Sequence, residues 1–152
     1  MLFVELNHKQ KYELTVPDKM TKTAQGFALV LNDNSELTPS QRIKLVDKTL
    51  PQLKPGQVLV KMLAAPVNPS DLVYLLGKYG LAPQDGAFVG FEGCGIVEEA
   101  NAGLYGKWLK GKRVALSGQP GIDGVWAEYA ITKENYCLPR GVKHVLENVN
   151  LV

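Results

Sequence analysis

Residues that build metal sites and disulfide frameworks are scarce in this 152-residue sequence, which contains only two cysteines and two histidines. Cys94 and Cys137 are far apart without companion ligands, and His8 and His144 lie at opposite ends of the chain. This pattern argues against a zinc site and against a Ser-His-Asp catalytic triad. Two cysteines also fit a reduced intracellular protein better than a disulfide scaffold, so we expect both to be small hydrophobic residues in or near strands.

Long hydrophobic runs and an excess of one charge are also missing. No run of ~18 apolar residues occurs, so no segment is expected to span a membrane. The net charge is only +2 and the basic residues are dispersed, which speaks against nucleic acid or an anionic membrane surface as partner. With 45% hydrophobic and 21% charged residues, the composition is typical of one soluble globular domain.

The N-terminal segment carries no recognisable targeting signal. It has no basic region followed by an apolar one, and it contains Glu5, Glu13 and Asp18 but no arginine. A cytoplasmic location is therefore expected. Residues 1–24 are interpreted as an extension ahead of the main body, with two short β-like runs that could form a hairpin.

From Gln25 onward, short β-like segments follow one another at the spacing of a barrel or sandwich. The alternation of Val58, Val60 and Met62 is typical of a half-buried strand. We therefore predict a mainly β fold, a partly open barrel with one or two short helices, rather than a doubly wound α/β sheet. The predicted strands are Phe27–Leu31, Arg42–Leu50, Gln57–Val67, Gly93–Glu99, Lys112–Leu116 and Val125–Ile131, with a turn at Asp33-Asn34-Ser35.

The strongest local signal is a helix start at the end of the longest predicted strand. Asn68 is a good N-cap, Pro69 suits the first helical position, and Asp71 follows where a negative charge favours the helix dipole. Gly77 is a natural stop signal, which places Tyr79 just beyond the helix. One apolar face is predicted at i, i+3, i+4 and i+7 from Leu72, Leu75, Leu76 and Tyr79.

Gly90, Gly93 and Gly95 superficially suggest a dinucleotide-binding fingerprint. The order is Gly-x-x-Gly-x-Gly, however, and the chain continues as a strand instead of opening a helix. We therefore expect these glycines to permit turns and close approach of backbones rather than phosphate binding.

Taken together, four motifs carry a resemblance to a known family. From about Phe27 to Arg140 the chain resembles the N-terminal, GroES-like catalytic domain of the medium-chain dehydrogenase/reductase superfamily. The motifs occur in the expected order, and they are Val67-Asn68-Pro69-Ser70-Asp71, Gly90-Phe91-Glu92-Gly93-x-Gly95, Gly111-Lys112-Arg113-Val114-Ala115 and Trp126-Ala127-Glu128-Tyr129.

Departures from the zinc-dependent members define the branch. Those alcohol dehydrogenases place a cysteine where Asn68 stands, a Gly-His-Glu where Gly90-Phe91-Glu92 stands, and a four-cysteine lobe that this chain lacks. The chain therefore resembles the zinc-independent quinone oxidoreductases and 2-enoyl thioester reductases. Its Asn68-Pro69-Ser70-Asp71 followed by Gly77-Lys78-Tyr79-Gly80 is most similar to the enoyl reductases.

The resemblance implies reduction of an activated C=C bond or a quinone with NADPH and without zinc. Charge would grow on the substrate's carbonyl oxygen, and Tyr79 matches the tyrosine that donates a proton or hydrogen bond there. Asn68 matches a polar residue beside the nicotinamide, which could position cofactor or substrate in addition to capping the helix. Glu92 is expected to be a buried, paired structural carboxylate, and Trp126 and Tyr129 core residues of a strand.

The end of the chain sets the predicted domain organisation. Residues 25–140 form the substrate-side domain, and residues 141–152 begin a connection to an absent cofactor-binding Rossmann domain. The chain alone is therefore expected to be inactive and to bind NADPH poorly. The alternative is a stand-alone GroES-like binding module without enzymatic activity, which could dimerise through an exposed apolar face near Leu138–Val152.

Overall fold

The computed structural model describes residues 22–32, 34, 36–117 and 123–139. Most of the predicted extension at 1–24, the connection at 141–152 and both histidines lie outside the described residues. Residues 33 and 35 of the predicted turn lie outside them as well.

The described residues form seven strands, two α-helices and two short 3-10 helices. The helices are α1 (Pro69–Leu75) and α2 (Gly103–Leu109), with 3-10 turns at Pro39–Arg42 and Glu134–Tyr136. The strands are β1 (Thr23–Leu29), β2 (Ile43–Thr49), β3 (Gln57–Ala64), β4 (Gly93–Asn101), β5 (Arg113–Leu116), β6 (Tyr129–Lys133) and β7 (Cys137–Pro139). The expected mainly β fold with one or two short helices is confirmed.

Two antiparallel sheets make up the partly open barrel. β1 pairs with β2, and the second sheet has the strand order β6-β3-β4-β5-β7. Isolated bridges join β1 to the second layer, with Gly26 opposite Ala127 and Ala28 opposite Phe88. The N–H of Phe27 donates to the carbonyl of Trp126 (2.8 Å), so the backbone of β1 is connected to the segment that leads into β6.

The core has three apolar clusters, and β3 contributes to two of them. Val58 and Val60 are fully buried together with Val97 and Leu109, which comes from α2. Leu59 points to the other face of β3 and packs in a second cluster that includes Phe88 and Ile131. A third cluster, Leu29, Leu75 and Val89, attaches α1 to β1. The first half of β3 is therefore buried on both faces, whereas Lys61 and Leu63 in its second half are exposed.

Several predicted strand bounds were wrong for identifiable reasons. β1 begins at Thr23, earlier than predicted, because the residues that alternate inward at its start are Ala24 and Gly26, which carry little β signal. β3 ends at Ala64 because the chain then reaches Pro66, which cannot donate to a ladder. β6 begins at Tyr129, so the expectation that Trp126 lies in a strand was wrong.

The helix that the sequence did not locate is α2. Its inner face consists of Leu109, which is fully buried, and Gly106, where a Cβ atom would collide with the Cβ atoms of Ala102 (2.6 Å) and Ala100 (3.1 Å). The other apolar residues of α2, which are Leu104, Tyr105 and Trp108, are exposed, so apolar spacing in this segment does not mark the buried face. None of the helices in the described ranges is long and apolar enough to cross a membrane.

Cys94 and Cys137 are both free thiols, and both lie in strands as expected. Burial, together with the negative charge of Glu134, raises the pKa of Cys137 from 9.0 to about 12. As the pH rises, the Cys137 thiol ionises at a lower pH in the unfolded chain than in the folded chain. The stability that the protonated thiol contributes is therefore complete below pH 9 and is lost as the pH rises toward 12.

We therefore predict a pH-dependent difference between the wild type and Cys137→Ala. Above the unfolded pKa, the free energy of unfolding of the wild type should fall, relative to the variant, by up to about 1.4 kcal/mol per pH unit. Urea unfolding between about pH 8 and 11 measures the free energy of unfolding of both proteins. Groups that titrate alike in both proteins cancel when one value is subtracted from the other. Cys94→Ala should keep the wild-type slope, and parallel curves for wild type and Cys137→Ala would contradict the prediction.

Candidate functional site

The candidate site lies where the chain leaves β3 and enters α1. Asn68 is the N-cap residue and Pro69 occupies the first turn, as predicted. Asn68 and Asp71 form a capping box, in which the backbone N–H of Asn68 donates to Asp71 Oδ2 at 2.7 Å. The helix is only seven residues long, and Gly77, with φ +70°, turns the chain away immediately after it.

Asp71 does more than cap the helix. Its side chain is 2% exposed, and its second oxygen, Oδ1, accepts the backbone N–H of Phe91 at 2.9 Å. A buried carboxylate is tolerated when its oxygens are hydrogen-bonded, and here each oxygen binds a different part of the chain. Asp71 therefore joins the start of α1 to the loop that precedes β4.

The predicted apolar face of α1 is mostly not buried. Of its four residues, Leu75 is buried at 2% exposure, whereas Leu72 and Tyr79 are 39% and 41% exposed. For Tyr79 the prediction failed because the turn at Gly77 takes this residue out of the helical register, whereas Leu72 lies within α1 on a side that the core does not cover. Tyr79 instead lies against Phe91, with ring centroids 5.1 Å apart and planes inclined by 35°.

The two predicted site residues, Tyr79 and Asn68, contact the neighbouring residues Phe91 and Glu92. Tyr79 contacts the ring of Phe91, and the amide Nδ2 of Asn68 donates to Oε2 of Glu92 at 3.0 Å. A carboxylate can only accept at neutral pH, so this bond fixes which end of the Asn68 amide faces Glu92. Glu92 is exposed, so the expectation that it is buried was wrong, although it is paired. It lies in the loop before β4, where the chain has left the core.

The sequence did not reveal the structural roles of two site residues, Phe91 and Asp71. Phe91 was noted only as a replacement for a metal ligand, and Asp71 only as a charge near a helix start. Neither role had a sequence signal, because each depends on a contact between residues about twenty positions apart.

Tyr79 has a hydroxyl group that is available to a ligand. Within the described part of the chain it makes no hydrogen bond, and the side chain is 41% exposed. Tyr74, which packs edge-on against Phe91 with ring centroids 5.2 Å apart, instead accepts a long hydrogen bond from the N–H of Gln84 (3.4 Å).

The residues at the positions of the zinc ligands do not fit a metal. Phe91 has no donor atom, and the amide nitrogen of Asn68 is directed at Glu92. Among residues that the structure describes, no three His, Cys, Asp or Glu side chains lie close enough to hold a metal ion.

The glycines on either side of Phe91 have the structural role that was expected. Gly93 and Gly95 belong to β4, and a Cβ on Gly95 would collide with the backbone carbonyl of Lys61. Gly90 has φ +94° and lies against the indole of Trp126, whose N–H donates to the carbonyl of Pro66 at 3.0 Å. These contacts leave no room for a phosphate and instead join the end of β3 to the Gly90 turn.

Comparison with known proteins agrees with this geometry. Residues 54–142, more than half of the chain, match the family described as the alcohol dehydrogenase GroES-like domain. The chain belongs to this family. The matched residues include β3 to β7, the strand-to-helix joint at Asn68 and the Gly90 turn, and they begin after β2.

Relatives of this GroES-like domain include mitochondrial enoyl-[acyl-carrier-protein] reductases. The Bos taurus protein is 38% identical over 96 residues, and the Xenopus tropicalis protein is 45% identical over 111 residues. These matches cover 63% and 70% of this chain. The chain spans only 25% and 29% of the two reductases.

A solved structure of a candidate NADPH:quinone reductase from Mesorhizobium loti is similar at 31% identity and a TM-score of 0.69. The match covers 77% of this chain and 36% of that one. A second candidate NADPH:quinone reductase, from Bacillus thuringiensis, is similar at 28% identity and a TM-score of 0.64, covering 78% of this chain and 34% of its own.

We predict that Asp71→Ala destabilises the domain by about 2–4 kcal/mol, because it removes a helix cap and leaves the N–H of Phe91 without its acceptor. Asp71→Asn, which keeps one acceptor oxygen, should lose about half as much. Urea unfolding monitored by circular dichroism gives both values. The exposed carboxylate of Glu99 offers a control, since Glu99→Ala should change stability by less than about 0.5 kcal/mol. A similarly small effect of Asp71→Ala would contradict the role assigned to Asp71.

Proposed function

We propose that this GroES-like domain is the substrate-side part of an NADPH-dependent, zinc-independent oxidoreductase. Its substrate would be an enoyl thioester or a quinone. The observation that carries the proposal is the partly exposed side chain of Tyr79, which lies against Phe91 and whose hydroxyl has no hydrogen-bond partner in the described residues. The names of the relatives, enoyl reductases and candidate quinone reductases, support the same reaction class.

Tyr79 would act on the substrate's carbonyl oxygen. Reduction of a conjugated C=C bond delivers hydride to the β-carbon and increases negative charge on that oxygen, which a phenol can stabilise by donating a hydrogen bond or its proton. The Tyr79 hydroxyl can turn toward a ligand without first breaking a bond to another described residue. NADPH, when bound, supplies the hydride.

Asn68 would orient the bound reactants. Its Nδ2 is engaged by Glu92, and its amide oxygen faces the backbone N–H of Asp71 in the capping box. The second lone pair of that oxygen can accept from a donor on the cofactor or substrate. The bond to a carboxylate also restricts the rotation of the amide. Asn68 is therefore suited to positioning and not to acid-base chemistry.

The cofactor's phosphates would be bound outside the described residues. The glycines around Phe91 lie in β4 or against Trp126, and they do not open a helix whose N-terminus could meet a pyrophosphate. We therefore infer that turnover would need a second, cofactor-binding domain to hold the phosphates, while the described residues supply Tyr79 and Asn68.

The first test uses the 152-residue chain alone. We expect no oxidation of NADPH above background with crotonyl-CoA or a quinone, and no NADPH binding by calorimetry, because the phosphate contacts are missing. Circular dichroism should show a folded β protein, so that inactivity is not a consequence of unfolding. Clear turnover by the isolated chain would contradict the proposed division between two domains.

The second test uses a longer protein that joins this domain to a cofactor-binding domain. Tyr79→Phe should lower kcat by about 10²- to 10⁴-fold, the usual contribution of a general acid, without changing the melting temperature. Tyr105→Phe is the matched control, because Tyr105 lies on α2 and stacks on Trp108. If Tyr79→Phe were as active as Tyr105→Phe, Tyr79 would have only a structural role.

A second candidate function, the binding module without activity, is favoured by the exposed apolar surface. Leu138 on β7 is 61% exposed, and an open groove of about 590 Å³ is lined by apolar residues that include Phe27, Leu45 and Val67. Such surface is usually covered by another protein segment. Inactivity of the longer protein would favour this candidate, and sedimentation of the chain alone would then show whether it covers the surface by dimerising.

A further inference from the structure

Tyr79 directly follows two residues whose backbone N–H groups are bound to α1. After α1 ends, the N–H of Gly77 donates to Tyr74 O (2.9 Å) and the N–H of Lys78 donates to Val73 O (3.0 Å). Tyr79 follows directly, and its recorded contact is with the ring of Phe91 at 5.1 Å. The direction of the Tyr79 hydroxyl therefore depends on Phe91.

Phe91 is itself fixed from two sides. Its backbone N–H is bound by the buried carboxylate of Asp71 at 2.9 Å, and its ring meets Tyr74 edge-on at 5.2 Å and an interplanar angle of 62°. Tyr74 belongs to α1, as does Asp71. One helix thus holds Phe91 through both its backbone and its side chain.

Phe91 is not a core residue. It is only partly buried, and it belongs to none of the three apolar clusters of the described residues. Its ring contacts are with two tyrosines. A phenylalanine kept only for stability would be expected among the buried aliphatic side chains.

We propose that Phe91 is a positioning residue, which holds the Tyr79 ring so that its hydroxyl meets the reacting oxygen. This inference rests on the proposed function of Tyr79. Catalysis by a single donor depends steeply on placement, since a misplacement of about 1 Å can reduce the rate by about 10²-fold. Offset or tilted aromatic pairs have preferred geometries that an aliphatic side chain cannot reproduce.

The placement itself is tested by NMR on the 152-residue chain with labelled tyrosine. The Tyr79 ring protons should be shifted from the positions of an exposed tyrosine by the Phe91 ring current. In Phe91→Leu this displacement should be lost, and in Phe91→Tyr it should be kept. An unchanged Tyr79 signal in Phe91→Leu would overturn the inference, whatever the reaction of the longer protein.

The consequence for catalysis is tested in the longer protein. Phe91→Leu should lower kcat by about tenfold to a hundredfold and leave KM within about twofold, and Phe91→Tyr should restore kcat. Phe91→Met replaces Phe91→Leu as the non-aromatic variant if the leucine variant does not fold. Phe88→Leu is the matched control, because Phe88 is a buried core residue (3% exposed) whose truncation should lower the melting temperature but not kcat.

A double-mutant cycle separates this inference from the proposed function. If Phe91 acts through Tyr79, then Phe91→Leu should slow the reaction no further once Tyr79→Phe is present. Full additivity of the two effects, or wild-type kcat in Phe91→Leu, would overturn the role of Phe91 while leaving Tyr79 intact. Wild-type kcat in Tyr79→Phe would instead refute the proposed function, and the NMR result would still decide whether the Phe91 ring contacts Tyr79.

Discussion

The buried carboxylate of Asp71 is the constraint on which the candidate site depends. One oxygen binds the N–H of Asn68 and the other binds the N–H of Phe91, so a single side chain joins a helix start to a distant loop. A carboxylate at 2% exposure is stable only while both bonds are made, because an unpaired buried charge is costly. The joint between β3 and α1 and the loop before β4 must therefore form together.

The barrel provides the rigid support beneath this joint. Val58, Leu59 and Val60 of β3 are buried in two core clusters. Pro66, just beyond the end of β3, is bound by the indole of Trp126, which also packs against the Gly90 turn. The N–H of Phe27 in β1 donates to the carbonyl of the same tryptophan. The backbone around the site is therefore held by contacts with the barrel, while the functional groups remain at the surface.

Chemically, the site combines fixed backbones with accessible polar atoms. The amide of Asn68 is oriented by Glu92, and the ring of Tyr79 by Phe91, but the Tyr79 hydroxyl makes no bond to the described residues. A group that must donate to a developing negative charge benefits from this arrangement, because nothing has to be broken before it acts. The same positions could not hold zinc, since Phe91 offers no ligand atom.

The sequence by itself determined the fold class and the start and end of α1, because caps, prolines and glycines act through the backbone of their own neighbours. It did not reveal the role of Phe91, the exposure of Glu92 or the helix held by the Gly106 contact. Only the tertiary structure decided these, since contacts between residues distant in the chain depend on strand register and loop path, which local periodicity does not encode.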